Sequence, residues 1–348
     1  MSSTQQALFV KEIGKPMVLG TREIPSPKEG QVLIKVHAAQ LLPHDTYGRD
    51  TGLFFGEHLP YILGTNIAGT ITALGPNVTT YSVGDQIFGL GFPLAPSPDE
   101  TGLQQYAILK TINVAKLPPG FSFDQIVTFP VNATTSYAAL FSEKGFGFPT
   151  PSDSPQKSLS TEAILVIGGG SSVGKLAIQL AKMAGVGQIL AVASSSGAEE
   201  LLSIGATHII DRHLSPSEIT SQINKILGED NLTKIYDCVS WDYTFPLSLL
   251  SHTNPSVLLT LHPADDAEKL VKEQGRQNIR VQFILGTSDF LQPLTEGFWK
   301  QLPGWVESGK LRVGGFRVIE GLEKTDEIEN ALDAYRDGSK VTPVVVHP

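Results

Sequence analysis

The sequence contains very little cysteine and no surplus of positive charge. Cys238 is the one cysteine among 348 residues, so no disulfide can form within the chain. The formal net charge is -9 at pH 7, with no long run of like charges. Binding to nucleic acid or to an anionic membrane without sequence recognition needs basic patches. We therefore expect neither a nucleic-acid partner nor a membrane partner.

Long apolar runs are also missing. No stretch approaches the length of a membrane-spanning helix. The first residues, MSSTQQ, lack the basic and apolar blocks of a signal peptide. Hydrophobic residues make up 41% of the chain and charged residues 18%, a composition typical of folded globular proteins. A chain of 348 residues is too long to fold around a single hydrophobic core. We expect a cytoplasmic protein of two domains.

The first part of the chain, up to about residue 130, has the pattern of short β-strands. Val32, Ile34 and Val36 occupy every second position, and residues 67–75 and 86–90 are further candidate strands. Turn sequences rich in glycine and proline separate them. Such a series predicts a small barrel or sandwich. From Gln125 to Ser142 the chain is mostly apolar and predicts a helix, interrupted only by a proline.

A different pattern begins at Ala163, where apolar segments of strand length alternate with helical segments. The candidate strands are 163–167, 189–193, 208–210, 234–239, 257–261 and 279–285, and the candidate helices are 173–184, 198–204, 217–227 and 265–274. This alternation predicts a doubly wound α/β domain, in which a parallel sheet is covered on both faces. The chain ends in Val344-Val345-Val346, a strand-like segment that we expect to rejoin the first domain. The predicted boundaries are 1–130 with 287–348 for one domain and 131–286 for the other.

A glycine-rich segment follows the first strand of this α/β domain and precedes a helix. Its sequence is GGGSSVG, and we predict that it holds the phosphates of a dinucleotide. Glycines let the backbone approach a pyrophosphate, and the N–H groups at a helix start attract its charge. The middle position of the usual motif is Ser171 rather than glycine, so the match is imperfect. The predicted contacts are Gly168, Gly169, Gly170, Ser171, Ser172, Val173 and Gly174.

The end of the second strand favours NADPH over NADH. An enzyme that uses NAD usually carries an acid there, about twenty residues after the glycine motif, to bind the ribose 2′-hydroxyl. This chain has Ser194, Ser195 and Ser196, whose hydroxyls suit a 2′-phosphate, and Arg212 follows the third strand as a candidate cation. The serines could equally be ordinary loop residues and Arg212 a plain surface residue.

Several motifs together resemble one family. They are Asp45-Thr46-Tyr47-x-Arg49 with Gly52, Leu63-Gly64-x-x-x-Ala68-Gly69, Val83-Gly84-Asp85, Gln105-Tyr106, Pro130 with Thr135, the glycine loop running into residues 177–182, and Ile204-Gly205-Ala206-Thr207. Over nearly its whole length the chain resembles the medium-chain dehydrogenase/reductase superfamily. It is most similar to the zinc-free branch of quinone oxidoreductases and enoyl reductases, including fungal members that act beside polyketide synthases. The resemblance implies a GroES-like β-barrel catalytic domain and a Rossmann cofactor domain.

The resemblance also implies that no zinc is bound. Zinc-dependent relatives carry a cysteine near position 40, a His-Glu pair where this chain has Thr65-Asn66, and a lobe with four more cysteines. Here Leu41 and Leu42 occupy the first region, and the lobe is missing. Without a metal to stabilise an alkoxide, a simple alcohol is a poor substrate. The expected acceptors are quinones or carbon–carbon double bonds conjugated to a carbonyl, which need a hydrogen-bond donor for oxygen and a proton.

The resemblance implies three catalytic candidates. Tyr47 is the expected donor to the acceptor oxygen and the only phenol near the site, Asn66 replaces the zinc-binding glutamate and could also donate, and Thr135 matches a residue that contacts nicotinamide. For each, a purely structural role stays open.

Four further residues bear on the expected chemistry. Leu42 and Phe54 lie about where relatives carry an asparagine and a catalytic tyrosine, so that water is an alternative proton source. Arg49 could pair with an acidic substrate, although a surface pair with Asp50 is the plainer interpretation. His44 could reach the active site, but an ordinary loop residue is the favoured interpretation.

The predicted function is an NADPH-dependent reductase of activated double bonds or quinones acting on small molecules. Two alternatives stay open, a trans-acting enoyl reductase of a polyketide pathway and a non-catalytic NADPH-binding protein. We expect a monomer or a homodimer.

Overall fold

The chain forms two compact units, and each combines segments that are distant in sequence. The structure, a computed structural model, describes residues 3–56, 58–92, 94–151, 158–337 and 341–348. One unit comprises Met1–Val131, Thr287–Gly309 and Val313–Pro348, and the other comprises Asn132–Gly286 with Lys310–Arg312. We call them the barrel unit and the cofactor unit.

Strands and helices are numbered along the chain. The strands are β1 (Thr4–Val10), β2 (Val18–Glu23), β3 (Gln31–Leu41), β4 (Tyr61–Ile62), β5 (Asn66–Leu74), β6 (Gln86–Leu90), β7 (Tyr106–Lys110), β8 (Val114–Lys116), β9 (Ala163–Ile167), β10 (Gln188–Ala193), β11 (His208–Asp211), β12 (Lys234–Asp237), β13 (Ser256–Thr260), β14 (Ile279–Phe283), β15 (Arg317–Glu320) and β16 (Val344–His347). The α-helices are α1 (Pro43–Thr51), α2 (Phe123–Ile126), α3 (Pro130–Phe141), α4 (Ser172–Met183), α5 (Ala198–Ile204), α6 (Pro216–Leu227), α7 (Thr244–Leu249), α8 (Asp265–Glu273), α9 (Ser288–Leu291), α10 (Leu294–Glu307) and α11 (Thr325–Arg336).

The barrel unit is organised around the long strand β3. Its first half pairs antiparallel with β7, its end pairs with β16, and its other edge pairs with β5 along most of its length. The sheet continues through β6 and β8 on one side and β15 on the other. A smaller antiparallel sheet has the order β2-β1-β4. The expected return of the C-terminal strand to the N-terminal domain is confirmed, since Val345 lies opposite Gln40.

The core of the barrel unit comes from the alternation seen in the sequence. Val32, Ile34 and Val36 of β3 are almost fully buried, and they pack with Leu8 of β1 and Ile71 of β5. The predicted helix between residues 125 and 142 is in fact two helices, α2 and α3. Pro130 begins α3 because a residue without an N–H fits only the first turn of a helix.

The cofactor unit contains a six-stranded parallel sheet in the order β11-β10-β9-β12-β13-β14. The chain order therefore reverses next to β9, which is the arrangement of a dinucleotide-binding Rossmann domain. Continuous apolar strands made this sheet predictable, because strands buried on both faces show no polar alternation. The α/β fold class with a barrel-like domain and a doubly wound domain is confirmed.

A capping box and a proline define the start of α6 in the cofactor unit. Ser215 accepts the Glu218 N–H, and Glu218 accepts the Ser215 N–H, so the two residues form a capping box at the start of α6. Pro216 occupies the first turn, where no hydrogen-bonding N–H is needed. Within the part of the chain that the structure describes, no helix is long and apolar enough to cross a membrane.

Candidate functional site

The glycine-rich loop of the cofactor unit forms a narrow backbone cradle. Gly168 has φ 78°, a conformation that side chains disfavour. A Cβ atom at Gly169 would lie 2.8 Å from the Cβ of Ala191, and one at Gly174 would overlap the carbonyl oxygen of Gly168. At Gly170 the nearest neighbour of an added Cβ would be 4.0 Å away. The loop is therefore closed against the sheet and open where a ligand would approach.

Ser171 explains why the motif tolerates a serine in its middle. Its hydroxyl donates to the carbonyl oxygen of Gly168 at 2.8 Å and accepts the Gly174 N–H at 3.1 Å, so it caps α4. The backbone N–H groups of Ser172 and Val173 have no hydrogen-bond acceptor among the described residues. Two amides at the start of a helix are the donors that a pyrophosphate needs. The loop thus fits the phosphates of a nicotinamide dinucleotide.

The segment after β10 places hydroxyl groups at the same edge of the sheet. Ser194 Oγ lies 2.9 Å from Ser196 Oγ, and Ser195 begins a short 3₁₀ turn. The backbone N–H of Arg212 donates to the carbonyl oxygen of Ala193 at 2.9 Å, and the side chain of Arg212 is exposed. No ion-pair partner of Arg212 is found among the residues that the structure describes.

The sequence analysis missed an acid beside these serines. Asp211, at the end of β11, lies opposite Ala193 in register. It accepts hydrogen bonds from the backbone N–H of His213 at 3.0 Å and interacts with the ring Nδ1 of the same residue at 2.9 Å. These interactions lower the pKa of Asp211. One carboxylate oxygen of Asp211 is engaged with His213, and the side chain stays 30% exposed.

Thr135 of α3 lies at the sheet edge that bears the carboxyl ends of the strands. It is 7% exposed, and Gly286, three residues beyond β14, approaches it so closely that a Cβ there would overlap its Oγ1. The next residue, Ser136, donates to the carbonyl oxygen of Val173 in the first turn of α4 at 2.8 Å. Dinucleotides bind along this edge of parallel sheets.

The barrel unit contains a pocket at the start of α1. It is a small recess that is partly open to solvent. Its lining is mostly apolar and is formed by Leu53, Phe54, Phe55, Ile62, Leu63 and the two glycines Gly48 and Gly64, with the polar residues His44, Asp45, Tyr61, Thr65 and Thr101. The favoured interpretation of His44 as an ordinary loop residue is wrong in its placement, because His44 lies in the first turn of α1 and lines this pocket.

The polar groups of the pocket are held in place by hydrogen bonds. His44 Nε2 lies 3.0 Å from Thr65 Oγ1 and 4.0 Å from Asp45 Oδ1. Asp45 accepts the backbone N–H of Leu42 at 2.8 Å and that of Gly64 at 2.9 Å, so it joins α1 to the segment before β5. Burial lowers the pKa of His44, although Asp45 opposes this effect, so the net shift favours the neutral imidazole.

Two of the three catalytic candidates belong to the barrel unit. Tyr47 is half-buried on α1, one turn after His44, and is not among the residues that line the pocket. Asn66 is fully buried next to Thr65, where its Nδ2 donates to Gln40 Oε1 and its Oδ1 accepts the Val131 N–H, each at 2.8 Å. Thr135 belongs to the cofactor unit.

Tyr61 is a second phenol that the sequence analysis missed, so Tyr47 is not the only phenol near this pocket. Tyr61 lines the pocket at 3% exposure, and its hydroxyl donates to the carbonyl oxygen of Ala95 at 3.1 Å. Burial raises the pKa of Tyr61. Its hydroxyl proton is therefore already used in a hydrogen bond within the barrel unit.

Arg49 pairs with Asp50, but the pair is not at the surface. The Arg49 side chain is only 5% exposed and lies 2.5 Å from Glu329 and 2.7 Å from Asp333 of α11, in addition to Asp50 at 2.6 Å. These carboxylates raise the pKa of Arg49 against the opposing effect of burial. Its charge is compensated inside the barrel unit, which leaves none for an acidic substrate.

Among the residues that the structure describes, no cluster of three or more His, Cys, Asp or Glu side chains is placed to hold a metal ion. Cys238, directly after β12, is 8% exposed, and burial raises the pKa of its thiol. The prediction that the protein binds no zinc stays a prediction.

Comparisons with known proteins agree with this architecture. The family described as "Alcohol dehydrogenase GroES-like domain" matches residues 28–130, and the family described as "Zinc-binding dehydrogenase" matches residues 172–289. The trans-enoyl reductase tndF of Aspergillus flavipes is 32% identical, with 99% of this chain and 99% of that protein covered. A human quinone oxidoreductase is 31% identical over 71% of this chain and 70% of its own length.

Solved structures show the same fold. A mycobacterial protein whose structure was determined in complex with NADPH has a TM-score of 0.75 at 21% identity, and the match covers 99% of this chain and 100% of that one. Together with the sequence relatives, this agreement identifies the family. The chain belongs to the medium-chain dehydrogenase/reductase superfamily, in the branch that contains the quinone oxidoreductases and enoyl reductases.

Proposed function

We propose that this protein is an NADPH-dependent, zinc-free reductase that transfers hydride to a quinone or to a carbon–carbon double bond conjugated to a carbonyl. The observation that carries the proposal is the glycine cradle with its two unpaired amides at Ser172 and Val173. When bound, NADPH supplies the hydride. The substrate is a small molecule, and the predicted cytoplasmic location stays a prediction.

The residues of the cofactor unit would hold the dinucleotide in a defined direction. The amides of Ser172 and Val173 would bind the pyrophosphate, with Gly168, Gly169, Gly170 and Gly174 keeping the backbone close. Ser194, Ser195, Ser196 and Arg212 would bind the 2′-phosphate. Thr135 would contact the nicotinamide end, because it lies by β14 at the same edge of the sheet.

The residues of the barrel unit would bind the acceptor. The pocket is largely apolar with few polar groups, which is typical of small-molecule sites. Tyr47 does not line this pocket, and we propose it as a second hydrogen-bond donor to the acceptor oxygen from the next turn of α1. Asn66 would act indirectly, because its amide already fixes the backbone next to Thr65 through Gln40 and Val131.

The preference for NADPH can be tested by titrating the purified protein with NADPH and with NADH. Loss of one hydrogen bond to a charged group weakens binding by about tenfold. We expect Arg212→Ala to weaken NADPH binding by about that factor and to leave NADH binding unchanged. Lys225→Ala is a matched control that removes the same charge near the end of α6, at the opposite edge of the sheet. Equal affinity of the wild type for both cofactors would refute the assignment, with Asp211 the first residue to suspect.

Turnover assays distinguish the proposed reductase from a trans-acting enoyl reductase and from a non-catalytic binding protein. NADPH oxidation should be followed with 1,4-benzoquinone, with a simple enone and with crotonyl-pantetheine as a carrier-like thioester. Reduction of the quinone or enone supports the proposal. Activity restricted to the thioester would favour the trans-acting enoyl reductase, which the relative tndF suggests. NADPH binding without oxidation in any assay would mean a binding protein.

A further inference from the structure

The polar groups of the barrel-unit pocket differ in whether they have a proton to offer a ligand. Tyr61 already donates its hydroxyl proton to Ala95, and Thr101 donates its own to the carbonyl oxygen of Pro98 at 2.8 Å. Asp45 only accepts, since two backbone N–H groups donate to it. His44 and Thr65 are the remaining polar side chains of this lining.

The His44–Thr65 pair has one more hydrogen-bonding proton than the hydrogen bond between the two side chains uses. A neutral imidazole carries one N–H and the threonine carries one O–H, and the contact between Nε2 and Oγ1 at 3.0 Å uses one of these two. The second N–H or O–H has no acceptor among the described residues that contact the pair. This proton is therefore available to a ligand that supplies an acceptor.

The position of Asp45 indicates which proton is left. The Asp45 carboxylate lies 4.0 Å from Nε2, and a negative charge nearby favours the proton on that nitrogen. Nε2–H then donates to Thr65 Oγ1, and the hydroxyl proton of Thr65 is free for the ligand. Thr65 is 5% exposed, so water competes poorly for this proton.

Phe54 lines the same pocket beside His44. It is one of three non-glycine residues with positive φ among those described, at 77°, and an aromatic residue adopts this conformation only at a cost. The Phe54 ring lies edge-on to His44, with centroids 5.6 Å apart.

We propose that Thr65 and His44 form an oxyanion-binding pair, in which the Thr65 hydroxyl donates to the carbonyl oxygen of the acceptor and His44 donates to Thr65. The inference rests on the proposed reductase function, because it assigns the pair to the acceptor of that reaction. Thr65 is the catalytic residue and His44 a positioning residue.

The pair stabilises charge and does not supply the substrate proton. Hydride adds to the β-carbon, and the π electrons of the double bond move so that the carbonyl oxygen becomes an enolate oxygen. Thr65 donates a hydrogen bond to this oxygen, and its O–H bond stays intact. A water molecule then protonates the α-carbon, so that the saturated carbonyl compound forms with the net uptake of one hydride and one proton. For a quinone the same hydrogen bond stabilises the hydroquinone anion.

A stable oxyanion tests the pair without any turnover. We would titrate the purified protein with 4-nitrophenol at a pH at which it is ionised, and with 4-nitroanisole, which has the same ring but no oxyanion. Thr65→Val should weaken phenolate binding by about tenfold. Thr65→Ser should restore it, and His44→Gln should weaken it less. Binding of the anisole should be unchanged in all variants.

The chain offers a matched control in a second histidine–threonine pair. His37 Nε2 lies 3.1 Å from Thr70 Oγ1 in the barrel unit, and neither residue lines the pocket. His37→Gln and Thr70→Val should leave phenolate binding as in the wild type. Nitrogen NMR of His44 should show a neutral ring protonated at Nε2 from pH 7 upward. Protonation at Nδ1 instead would overturn the proposed hydrogen-bond direction.

Kinetics separate this inference from the proposed function. With an accepted quinone or enone, Thr65→Val should lower kcat by about 10²-fold with little change in KM. Full activity and full phenolate binding in both Thr65→Val and His44→Gln would overturn the pair while leaving the reductase intact. Absence of turnover in the wild type, with the phenolate pattern as described, would overturn the reductase and retain the oxyanion site.

Discussion

The Ser171 hydroxyl accepts the backbone N–H of Gly174 at 3.1 Å, and this one hydrogen bond fixes where α4 begins. Gly174 is then pressed against the carbonyl oxygen of Gly168, with no room for a side chain. The phosphate loop therefore depends on a serine that caps the helix and on a glycine that lets the helix approach the strand.

Gly174→Val should abolish dinucleotide binding while the protein remains folded. The side chain would push α4 away from the loop and move the amides of Ser172 and Val173. Calorimetric titration and circular dichroism measure the two effects. Gly304→Ala is the control, because an added Cβ there meets nothing within 4 Å. Unchanged affinity in Gly174→Val would mean that the loop is not the phosphate site.

Tyr47→Phe should lower the turnover number more than it weakens NADPH binding. The loss should be smaller than the roughly 10²–10³-fold of a fully enclosed oxyanion donor, since Tyr47 is half-buried and water can replace it. Steady-state kinetics beside a cofactor titration measure both quantities. Tyr106→Phe, a half-buried tyrosine of β7, is the control. A turnover number equal to that of the wild type would exclude the Tyr47 phenol from the reaction.

Arg49→Ala should reduce the free energy of unfolding by about 1–3 kcal/mol, because the partly exposed carboxylates of Glu329, Asp333 and Asp50 would lose their hydrogen bonds to a buried guanidinium. Urea denaturation gives the value. Lys324→Ala, which removes one partner of an exposed pair with Glu327, should have no measurable effect. A change in Arg49→Ala as small as in this control would show that the cluster contributes nothing to stability.

Glu100 should make stability fall as the pH rises. Burial raises the pKa of Glu100 to about 7, from 4.5 in an unfolded chain. The folded state therefore binds this proton more tightly, so the stabilisation is complete below pH 4.5 and is lost as the pH rises to about 7. One pKa unit corresponds to about 1.4 kcal/mol, which makes the total at most about 3 kcal/mol.

Glu100→Gln should remove this loss. The free energy of unfolding of the variant, minus that of the wild type, should be larger at pH 8 than at pH 5. Denaturant unfolding at both pH values measures this difference. Glu296→Gln should show no such gain, because Lys300 lowers the pKa of Glu296. Parallel pH profiles of Glu100→Gln and the wild type would contradict the assignment.

Metal analysis of the purified protein should find no tightly bound zinc. Thr65 and Asn66 are engaged with His44, Gln40 and Val131, and neither side chain is a zinc ligand. One zinc per chain that resists dialysis against a chelator would refute the expectation.

The fold of the cofactor unit was predictable because the sequence patterns that specify it lie close together along the chain. A continuous apolar strand such as 163–167, followed by glycines and an amphipathic helix, specifies its own structure within some twenty residues. The sequence showed that Ser171 departs from the motif, but only the structure shows that Ser171 caps α4.

The barrel-unit pocket was less predictable, because its contacts join distant segments. Residues 43–51 show no apolar periodicity, so the sequence did not indicate α1 or the place of His44. Two of the three acidic partners of Arg49 lie 280 and 284 residues away in the sequence. A charged residue in a polar segment is usually solvated, and only the position of α11 changes that expectation.

The pairing of β16 with β3 has a consequence for how the protein is made. During synthesis the end of β3, from Ala39 to Leu41, gains this neighbour only after β16 has been made. Until then the strand presents open N–H and C=O groups, which can pair with other chains. The cofactor unit contains its whole parallel sheet between Ala163 and Phe283 and is free of this delay. Nascent chains stalled before β16 would therefore be the aggregation-prone species, and a shortened C-terminus would impair solubility before it impaired cofactor binding.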